Sequence, residues 1–427
     1  MHPLPLSTHH HNSRQLEIFY LSPHNFDYSP ISAIMDCNLI DKYLAKGEVA
    51  ENPELLIDGP KVTAKYHEFE KALPETDFYF AVKALTNFEI LKALEQAGSR
   101  FDCASIDEIT IVRDLFGTVY DAPSCAAVTA AVAARICYGN TIKSDFEIKY
   151  AYDMGVRLMV TDSIADVKAI AEYAPGCEVY CRFITRGGVF GDPYSNKFGC
   201  DEETALEVLK LAHAKGLKVR GVSFHVGTQK LDVAVWDAAI EIAARIFVQM
   251  KEQTGVTMDL VNMGGAFPAT YNTTRPIPPL AEYAATIKAS LAKHFAGWAI
   301  KTMIEPGRSL VGDAGMLIGR VKNVSRCAEG EPLRVFLNIG TYHGLRETKP
   351  DAFVPYITTL ANVGVKTACH LYGPSCDGTD FIAEQTFRLP ANIKRNDIVI
   401  VHNWGAYSGY NTTFNSLPAP VIKVLWE

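Results

Sequence analysis

A unit of one apolar strand, a turn and an amphipathic helix repeats eight times along the chain, beginning at Asp77. Strands that alternate with helices favour a parallel sheet, and eight units over roughly 230 residues match a (β/α)8 barrel. A doubly wound open sheet is the competing architecture, but the number of units favours the barrel. The predicted strands are Asp77–Ala84, Arg100–Ser105, Arg135–Gly139, Val156–Asp162, Glu178–Thr185, Val219–Gly227, Met258–Gly265 and Ile300–Gly307.

Helical patterns lie between these strands, and glycines follow several of them where a left-handed residue often ends a helix, at Gly98, Gly155, Gly216 and Gly255. The unit around Tyr120–Ala134 is the least regular of the eight. The predicted helices are Asn87–Gln96, Asp145–Met154, Ile164–Tyr173, Glu202–Lys215, Ala234–Gln253 and Leu280–Phe295.

After Gly315 the pattern changes, because the strands there are separated by loops instead of helices. This change predicts a second, all-β domain. We assign residues 1–59 to an N-terminal extension that crosses to the β domain, 60–313 to the barrel, and 314–427 to the β domain. The predicted β-domain strands are Met316–Val324, Arg334–Ile339, Ala368–Tyr372, Asp397–His402 and Pro420–Trp426.

Composition excludes several classes of partner for these 427 residues. The net charge of −7 gives no reason to expect nucleic acid, and no apolar run approaches the roughly 20 residues of a membrane span. Ten cysteines without a Cys-x-x-Cys pair favour reduced thiols over a disulfide framework. The N-terminal stretch has no secretory pattern, so we expect a cytoplasmic protein, and we expect no functional metal at His9, His10 and His11.

The lysine at position 83 ends the most apolar of the predicted strands, which contains Phe78, Tyr79, Phe80 and Val82. Burial disfavours the charged form of an amine, so we expect a lowered pKa for Lys83. A neutral amine is the form that attacks an aldehyde to make a Schiff base. Taken alone, a lysine that reaches solvent from a strand end is the better explanation of the position.

Polar residues collect at the carboxyl ends of the predicted strands, which meet at the active-site face of a barrel. The glycine turn beginning at Gly264 brings backbone N–H groups near a phosphate, and Arg308 offers a planar fork for its oxygens. With a Schiff-base lysine, a phosphate site indicates pyridoxal phosphate. The strand-end residues are Lys83, Asp102, Arg182, His225, Thr228, Gly264, Gly265, Ala266, Glu305, Gly307 and Arg308.

Several motifs between about Asp77 and Tyr407 are specific, namely FYFAVKA, RFDCAS, SFHVGT, GGAFP, EPGRS, GPSCDGTD and WGAYSGY. Through them the chain resembles the fold-type III pyridoxal-phosphate decarboxylases, whose barrel is like that of alanine racemase and which include ornithine, lysine and diaminopimelate decarboxylases. Three further segments are similar to the bacterial ornithine (lysine/ornithine) decarboxylases: IKSDFEIKYAYDMGV, SNKFGC and IGTYHGLRET.

The resemblance implies a role for each barrel residue. Lys83 would hold the cofactor as an internal aldimine, Glu305 would keep the pyridine nitrogen protonated, and His225 would stack on the ring. Asp102 and Arg182 would support the lysine and the ring, although an ordinary salt bridge in the barrel mouth explains both as well. The residues expected around the phosphate are Thr228, Gly264, Gly265, Ala266, Gly307, Arg308 and Tyr407.

The resemblance also implies a homodimer whose active sites are shared across the interface. Cys376 would enter the partner's site and protonate the substrate carbon after carbon dioxide leaves, and Asp377 would bind the distal ammonium. Tyr342, Glu347 and Asp351 are further candidates for substrate contact.

Two positions depart from the family pattern. Ala266 replaces a third glycine, and Tyr342-His343 stands where bacterial ornithine enzymes tend to have Phe-Gly.

The resemblance thus implies decarboxylation of a basic L-amino acid through an external aldimine and a quinonoid. L-ornithine, giving putrescine in polyamine biosynthesis, is the expected substrate. Lysine and diaminopimelate are the alternative substrates. An amino-acid racemase is a further alternative that Glu305 opposes, because racemases of this fold tend to place an arginine at the pyridine nitrogen. A catalytically inactive regulator that keeps the fold is the alternative from another class.

Overall fold

Eight parallel strands close into a barrel in the computed structural model of the chain. The structure describes residues 37–47, 49–119, 125–185, 197–271, 276–348, 353–360, 364–409 and 414–426. The first barrel strand pairs with the last, so the sheet has no open edge, and the predicted (β/α)8 barrel is confirmed. The barrel strands are β2 (Thr76–Ala81), β3 (Arg100–Cys103), β4 (Ile136–Tyr138), β5 (Leu158–Thr161), β6 (Glu178–Arg182), β7 (Lys218–Ser223), β8 (Leu260–Asn262) and β9 (Lys301–Ile304).

Helices surround these strands close to the predicted positions, and all four predicted glycines that follow helices have positive φ. The irregular unit before β4 contains two helices instead of one. The helices outside the barrel strands are α2 (Gly59–Ala72), α3 (Phe88–Gln96), α4 (Ile106–Val119), α5 (Cys125–Arg135), α6 (Asp145–Asp153), α7 (Ile164–Tyr173), α8 (Glu202–Ala214), α9 (Val235–Thr254), α10 (Leu280–His294) and α11 (Arg308–Val311).

The observed barrel strands are shorter than predicted, and each of the eight ends earlier at its carboxyl end. Lys83 lies in a single 3-10 turn, Val82–Ala84, directly after β2. His225 likewise follows β7 in a loop. Lys83 and His225 therefore stand on turns beyond the strands, whereas Asp102 and Arg182 remain within β3 and β6.

A second sheet forms the C-terminal domain, in the order β12-β15-β10-β11-β13-β14, with β1 paired to both β10 and β16. The segment that sequence reasoning described as a crossover is thus a strand of this sheet. Two strands, β12 and β14, were not predicted. The strands are β1 (Glu54–Asp58), β10 (Gly315–Ser325), β11 (Leu333–Leu337), β12 (Tyr356–Thr359), β13 (Lys366–Tyr372), β14 (Phe381–Pro390), β15 (Ile398–His402) and β16 (Val421–Leu425), and α1 (Cys37–Leu44) packs against them.

The barrel interior contains a compact apolar layer that separates its two ends. Apolar side chains from alternate positions of the strands fill this layer, and all are buried: Tyr79, Cys137, Leu158, Val160, Tyr180, Leu260 and Met303. Filling the interior in this way makes the barrel a packed core and leaves its carboxyl end as a shallow floor for polar groups.

The C-terminal domain contacts the barrel near the turn that contains Lys83. Tyr407 donates its backbone N–H to the carbonyl oxygen of Ala84 at 2.8 Å. The Trp426 ring lies against Gly59, where an added Cβ would come within 2.5 Å of the ring. None of the described helices has the length and apolarity to cross a membrane.

The pairing of β7 with β8 generates a stability prediction. A Cβ on Gly221 would lie 1.8 Å from the carbonyl oxygen of Leu260, so Gly221→Ala should lower the free energy of unfolding by roughly 1–3 kcal/mol. Gly117→Ala in α4 is the matched control, because its Cβ meets nothing within 4 Å, and it should gain about 0.5–1 kcal/mol of helix propensity. Urea unfolding measures both, and equal midpoints for Gly221→Ala and wild type would contradict the observed strand spacing.

Candidate active site

The Lys83 amine stands at the mouth of the barrel, 3.6 Å from Oδ2 of Asp102. Asp102 is the buried third residue of β3, and its side chain is 1% exposed. Burial alone lowers the pKa of Lys83, but the negative charges of Asp102, Tyr407, Glu305 and Glu108 outweigh burial and raise that pKa above its ordinary value. The lowered pKa expected from the apolar strand is therefore wrong, because the partners come from neighbouring strands and helices.

Glu305 follows β9 and faces the same floor as Asp102. Burial and the nearby Asp102 raise the pKa of Glu305 to about 7, against a hydrogen bond donated by the Asn262 amide and the positive charges of Lys83 and Arg182. The Cys137 thiol, at 3.6 Å, donates to Oδ1 of Asp102, whereas Oδ2 has no hydrogen-bond partner among the described residues. The floor thus contains two buried carboxyls in contact with limited positive charge.

His225 is held as a neutral ring beside this floor. Its Nδ1 accepts the backbone N–H of Gly227 at 3.1 Å. Burial, with the positive charges of Arg182 and Lys83 nearby, lowers the pKa of His225 to about 3. A neutral, fixed imidazole is suited to stacking on another ring, and it does not act as a proton donor near pH 7.

A tight backbone cradle forms the side of the cavity near the glycine turn. A Cβ on Gly264 would lie 2.3 Å from the Phe224 carbonyl oxygen, and a Cβ on Gly265 would lie 2.6 Å from that of Glu305. Gly307 is packed as closely, with an added Cβ 2.8 Å from Cβ of Ala84. These three positions accept only glycine without rearrangement, which leaves the backbone open toward the cavity.

One cavity collects most of the residues predicted from the strand ends. It also contains Ala81, Gly227 and Phe267, which belong to the motifs FYFAVKA, SFHVGT and GGAFP but had no predicted role, and Gln229, which lies outside those motifs. Three further predicted residues lie beside the cavity, in its floor and walls. They are Asp102, which pairs with Lys83, Arg182, whose charge acts on His225, and Gly264, which packs against Phe224. The predicted residues that line the cavity are Lys83, His225, Thr228, Gly265, Ala266, Glu305, Gly307, Arg308 and Tyr407.

Arg308 begins the short helix α11, and its guanidinium is held from several sides. Nη1 and Nη2 each donate to one carboxylate oxygen of Glu347, and Nη1 also donates to the hydroxyl of Tyr271 at 2.7 Å. Glu347 was predicted to contact substrate, but both its oxygens are directed to Arg308. Glu347 is therefore the ion-pair partner of Arg308, a contact that the sequence did not predict.

Cys376 and Asp377 lie on a loop of the β domain and are not among the residues that line the cavity of the same chain. The Cys376 thiol is exposed, and its backbone N–H donates to Oδ1 of Asn415 at 2.8 Å. Oδ1 of Asp377 accepts from Thr379, and Oδ2 accepts the Tyr342 hydroxyl at 2.7 Å. These bonds hold the pKa of Asp377 below its ordinary value. Asp351 lies outside the described residues.

The loop is organised by the buried carboxylate of Asp380. It accepts four hydrogen bonds, from the backbone N–H and the hydroxyl of both Thr341 and Ser375. Gly340 and Gly373 leave the space that this carboxylate fills, since a Cβ at either would come within 2.5 Å of it. Sequence reasoning did not identify Asp380, although it ends the GPSCDGTD motif.

Residues 60–312 match the family model for the pyridoxal binding domain of pyridoxal-dependent decarboxylases. This match covers more than half of the chain.

The chain belongs to the pyridoxal-dependent decarboxylases.

Relatives of this decarboxylase cover nearly its whole length. A lysine/ornithine decarboxylase from Selenomonas ruminantium is 30% identical, over 87% of this chain and 89% of the relative. The crystal structure of a lysine/ornithine decarboxylase from Vibrio vulnificus, complexed with putrescine, is 25% identical with a TM-score of 0.77 and covers 91% of this chain and 97% of that one. An antizyme inhibitor 2 from Xenopus laevis is 29% identical, over 81% of this chain and 75% of the relative.

The cofactor of this decarboxylase family is pyridoxal phosphate, and the cavity residues fit it. An amine stands at one side of the cavity, at Lys83. A buried carboxyl with a raised pKa, Glu305, faces it from the floor, where a pyridine nitrogen would need a proton partner. The open backbone at Gly265 and Gly307 and the cation of Arg308 suit a phosphate.

Three of the seven non-glycine residues with left-handed backbone in the described part of the decarboxylase line this cavity. Gln229, Ala266 and Tyr407 all line it, and their φ angles are 51°, 73° and 57°. Left-handed backbone at residues other than glycine costs free energy and is common at functional sites. Ala266, noted above as a departure from a glycine, thus occupies a position that favours glycine. Sequence alone has no signal for the other two.

The raised pKa of Glu305 predicts a pH-dependent stability. A carboxyl whose folded-state pKa lies near 7, against about 4.5 when unfolded, binds protons more tightly in the folded protein, so it destabilises the fold increasingly as pH rises between those values. In the cofactor-free protein, Glu305→Gln should therefore gain stability over wild type between pH 5 and pH 8, by up to about 3 kcal/mol. Urea unfolding at both pH values measures this difference, and a constant difference would contradict the assignment.

Proposed function

We propose that this protein decarboxylates a basic L-amino acid, with L-ornithine as the preferred substrate and putrescine as the product. The observation that carries the proposal is the placement of Lys83, Asp102 and Glu305 around one cavity beside a glycine cradle and Arg308. Both decarboxylase relatives described above have ornithine in their names.

Pyridoxal phosphate, when bound, supplies an aldehyde for the substrate amine and a ring that accepts the electrons left when the carboxylate departs. Lys83 provides the amine that binds this aldehyde and later releases the product. Its ion pair with Asp102 fixes the position of Nζ at the end of β2. We assign the phosphate to Thr228, to the backbone of Gly264, Gly265, Ala266 and Gly307, and to Arg308 and Tyr407.

Glu305 holds the proton at the pyridine nitrogen. Its pKa of about 7 reflects burial beside Asp102, so a cationic N–H partner would favour the charged carboxylate. His225 stacks on the ring face as a neutral imidazole, because its pKa is far below 7. Arg182, in the wall, adds positive charge that favours the ionised form of Glu305.

The proton donor and the site for the distal amine come from a second copy of the chain. Cys376 is exposed and outside the cavity of its own chain, yet its loop is fixed by Asn415 and Asp380. We propose a homodimer in which the Cys376 thiol delivers a proton to the substrate carbon of the partner site. Asp377, whose carboxylate is kept ionised by three hydrogen bonds, binds the distal ammonium beside Tyr342.

A regulator without activity is the competing function, and the antizyme inhibitor among the relatives is the observation that favours it. The intact set of Lys83, Glu305, Arg308 and Cys376 supports catalysis instead, because a binding function needs none of these groups.

Carbon dioxide release across ornithine, lysine, arginine and diaminopimelate tests the substrate. We expect ornithine to give the highest kcat/KM. The single carboxylate of Asp377 suits one distal ammonium, which separates ornithine and lysine from arginine and diaminopimelate. A higher kcat/KM for lysine than for ornithine would identify lysine as the preferred substrate instead. No release from any of the four, in protein with a visible absorption band that borohydride abolishes, would favour the regulator.

A mixture of two inactive variants tests the shared site. Lys83→Ala should abolish turnover, and Cys376→Ala should slow it by about 10²-fold or more, as loss of a general acid does. Mixed dimers of the two contain one intact site, so mixing equal amounts should restore about a quarter of wild-type activity. Cys327→Ala, which removes another exposed thiol, is the matched control and should match wild type. Failure of the mixture to exceed its two components would contradict sharing.

A further inference from the structure

The ion pair between Arg308 and Glu347 connects the cofactor cavity to the β domain. Arg308 lines the cavity, and Glu347 lies in a 3-10 turn, Arg346–Thr348, beyond β11. Their side chains are 9% and 14% exposed, so this pair is mostly removed from solvent. A bidentate ion pair in such surroundings fixes the orientation of a guanidinium far better than an exposed pair does.

The hydrogen bonds of Arg308 use one edge of its guanidinium. Of the five N–H groups, Nη1 and Nη2 each give one to Glu347, and the second hydrogen of Nη1 goes to the Tyr271 hydroxyl. The Nε–H and the second Nη2–H remain, and they project from the adjacent edge. Among the described residues this edge has no hydrogen-bond partner, and Arg308 lines the cavity.

Two aromatic rings restrict the plane of the same guanidinium. Its central carbon lies 4.6 Å from the ring centre of Phe353 and 4.6 Å from that of Tyr407. The rings oppose tilting, and the carboxylate of Glu347 opposes rotation within the plane. Together they leave one fork of two parallel N–H groups, which is the geometry that a phosphate accepts best.

We propose that Glu347 is a positioning residue, which holds Arg308 so that its Nε–Nη2 edge binds the phosphate of the cofactor. This role rests on the proposed function, in which Arg308 contacts that phosphate. Glu347 itself touches neither cofactor nor substrate. Its place in the β domain means that the second domain takes part in binding the phosphate through an arginine of the barrel.

The negative charge of Glu347 also acts against phosphate binding by Arg308. A carboxylate beside Arg308 reduces the attraction of the arginine for a second anion. We expect the effect of Glu347 on the orientation of Arg308 to be larger than the effect of its charge. Backbone N–H groups of the cradle also bind the phosphate, so the phosphate does not depend on the charge of Arg308 alone. The Nε–Nη2 edge, in contrast, is aligned only while Glu347 holds the other edge. Without Glu347, a mostly buried arginine lacks its main partner and turns away from the aligned position.

Glu347→Gln tests this role, because glutamine keeps the shape but presents an amide N–H₂ to one of the two Arg308 donors. Cofactor-free protein is titrated with pyridoxal phosphate and separately with pyridoxal, which lacks the phosphate, and the visible absorption of the lysine-bound aldehyde is followed. We expect the affinity for pyridoxal phosphate to fall about tenfold. Removing the hydrogen-bond partner of a metal ligand lowers metal affinity by at least that factor, and Glu347 stands in the same relation to Arg308 as such a partner does to its ligand. The affinity for pyridoxal should not change.

Arg346→Gln is the matched control, since Arg346 is the exposed neighbour in the same turn, and it should leave both affinities at wild-type values. If Glu347→Gln does not fold, Glu347→Asp serves the same test, with a smaller loss in the same direction because the shorter side chain reaches fewer donors. Unchanged or tighter binding of pyridoxal phosphate would overturn the role of Glu347, as would equal losses for both aldehydes. Wild-type protein that binds neither aldehyde would instead overturn the proposed function on which this role rests.

Discussion

Two carboxyls, Asp102 and Glu305, are buried together at the mouth of the barrel, and much of the structure serves to make this arrangement stable. Each ion would lose several kcal/mol on leaving water without partners. The Lys83 amine, the Asn262 amide and the Arg182 guanidinium offset that loss from three different strand ends. A closed parallel barrel is suited to this, because all eight strands end at the same rim. The apolar layer below keeps water from the other end.

The β domain completes the site from outside the barrel. Tyr407 bonds to the backbone of the turn that contains Lys83, and Glu347 pairs with Arg308. Trp426, at the end of the chain, packs on Gly59 and donates to Glu89 at 3.2 Å, which joins the last strand to the first two helices of the barrel. The geometry of the cavity therefore depends on how the two domains pack.

Sequence was sufficient for the barrel, for most of the second sheet and for most of the cavity residues. The barrel residues of the cavity could be predicted because the strand ends of a parallel barrel converge whatever their spacing along the chain. It failed where a property depends on contacts between distant segments. An apolar strand suggested a lowered pKa for Lys83, but Asp102, from the next strand, raises it. Glu347 seemed free for substrate until folding placed Arg308 beside it. The strain at Tyr407 has no local signature at all.

The loop that contains Cys376 is exposed, yet several hydrogen bonds hold it in place. An exposed loop is normally free to move, since few contacts oppose its conformational entropy. Here Asp380 accepts four hydrogen bonds beneath the loop, Asn415 holds its backbone, and Tyr342 fixes the Asp377 carboxylate from the side. These contacts hold the Cys376 backbone and the Asp377 carboxylate in place at the surface. Such preorganisation reduces the entropy lost when that surface meets another, as the proposed shared active site requires.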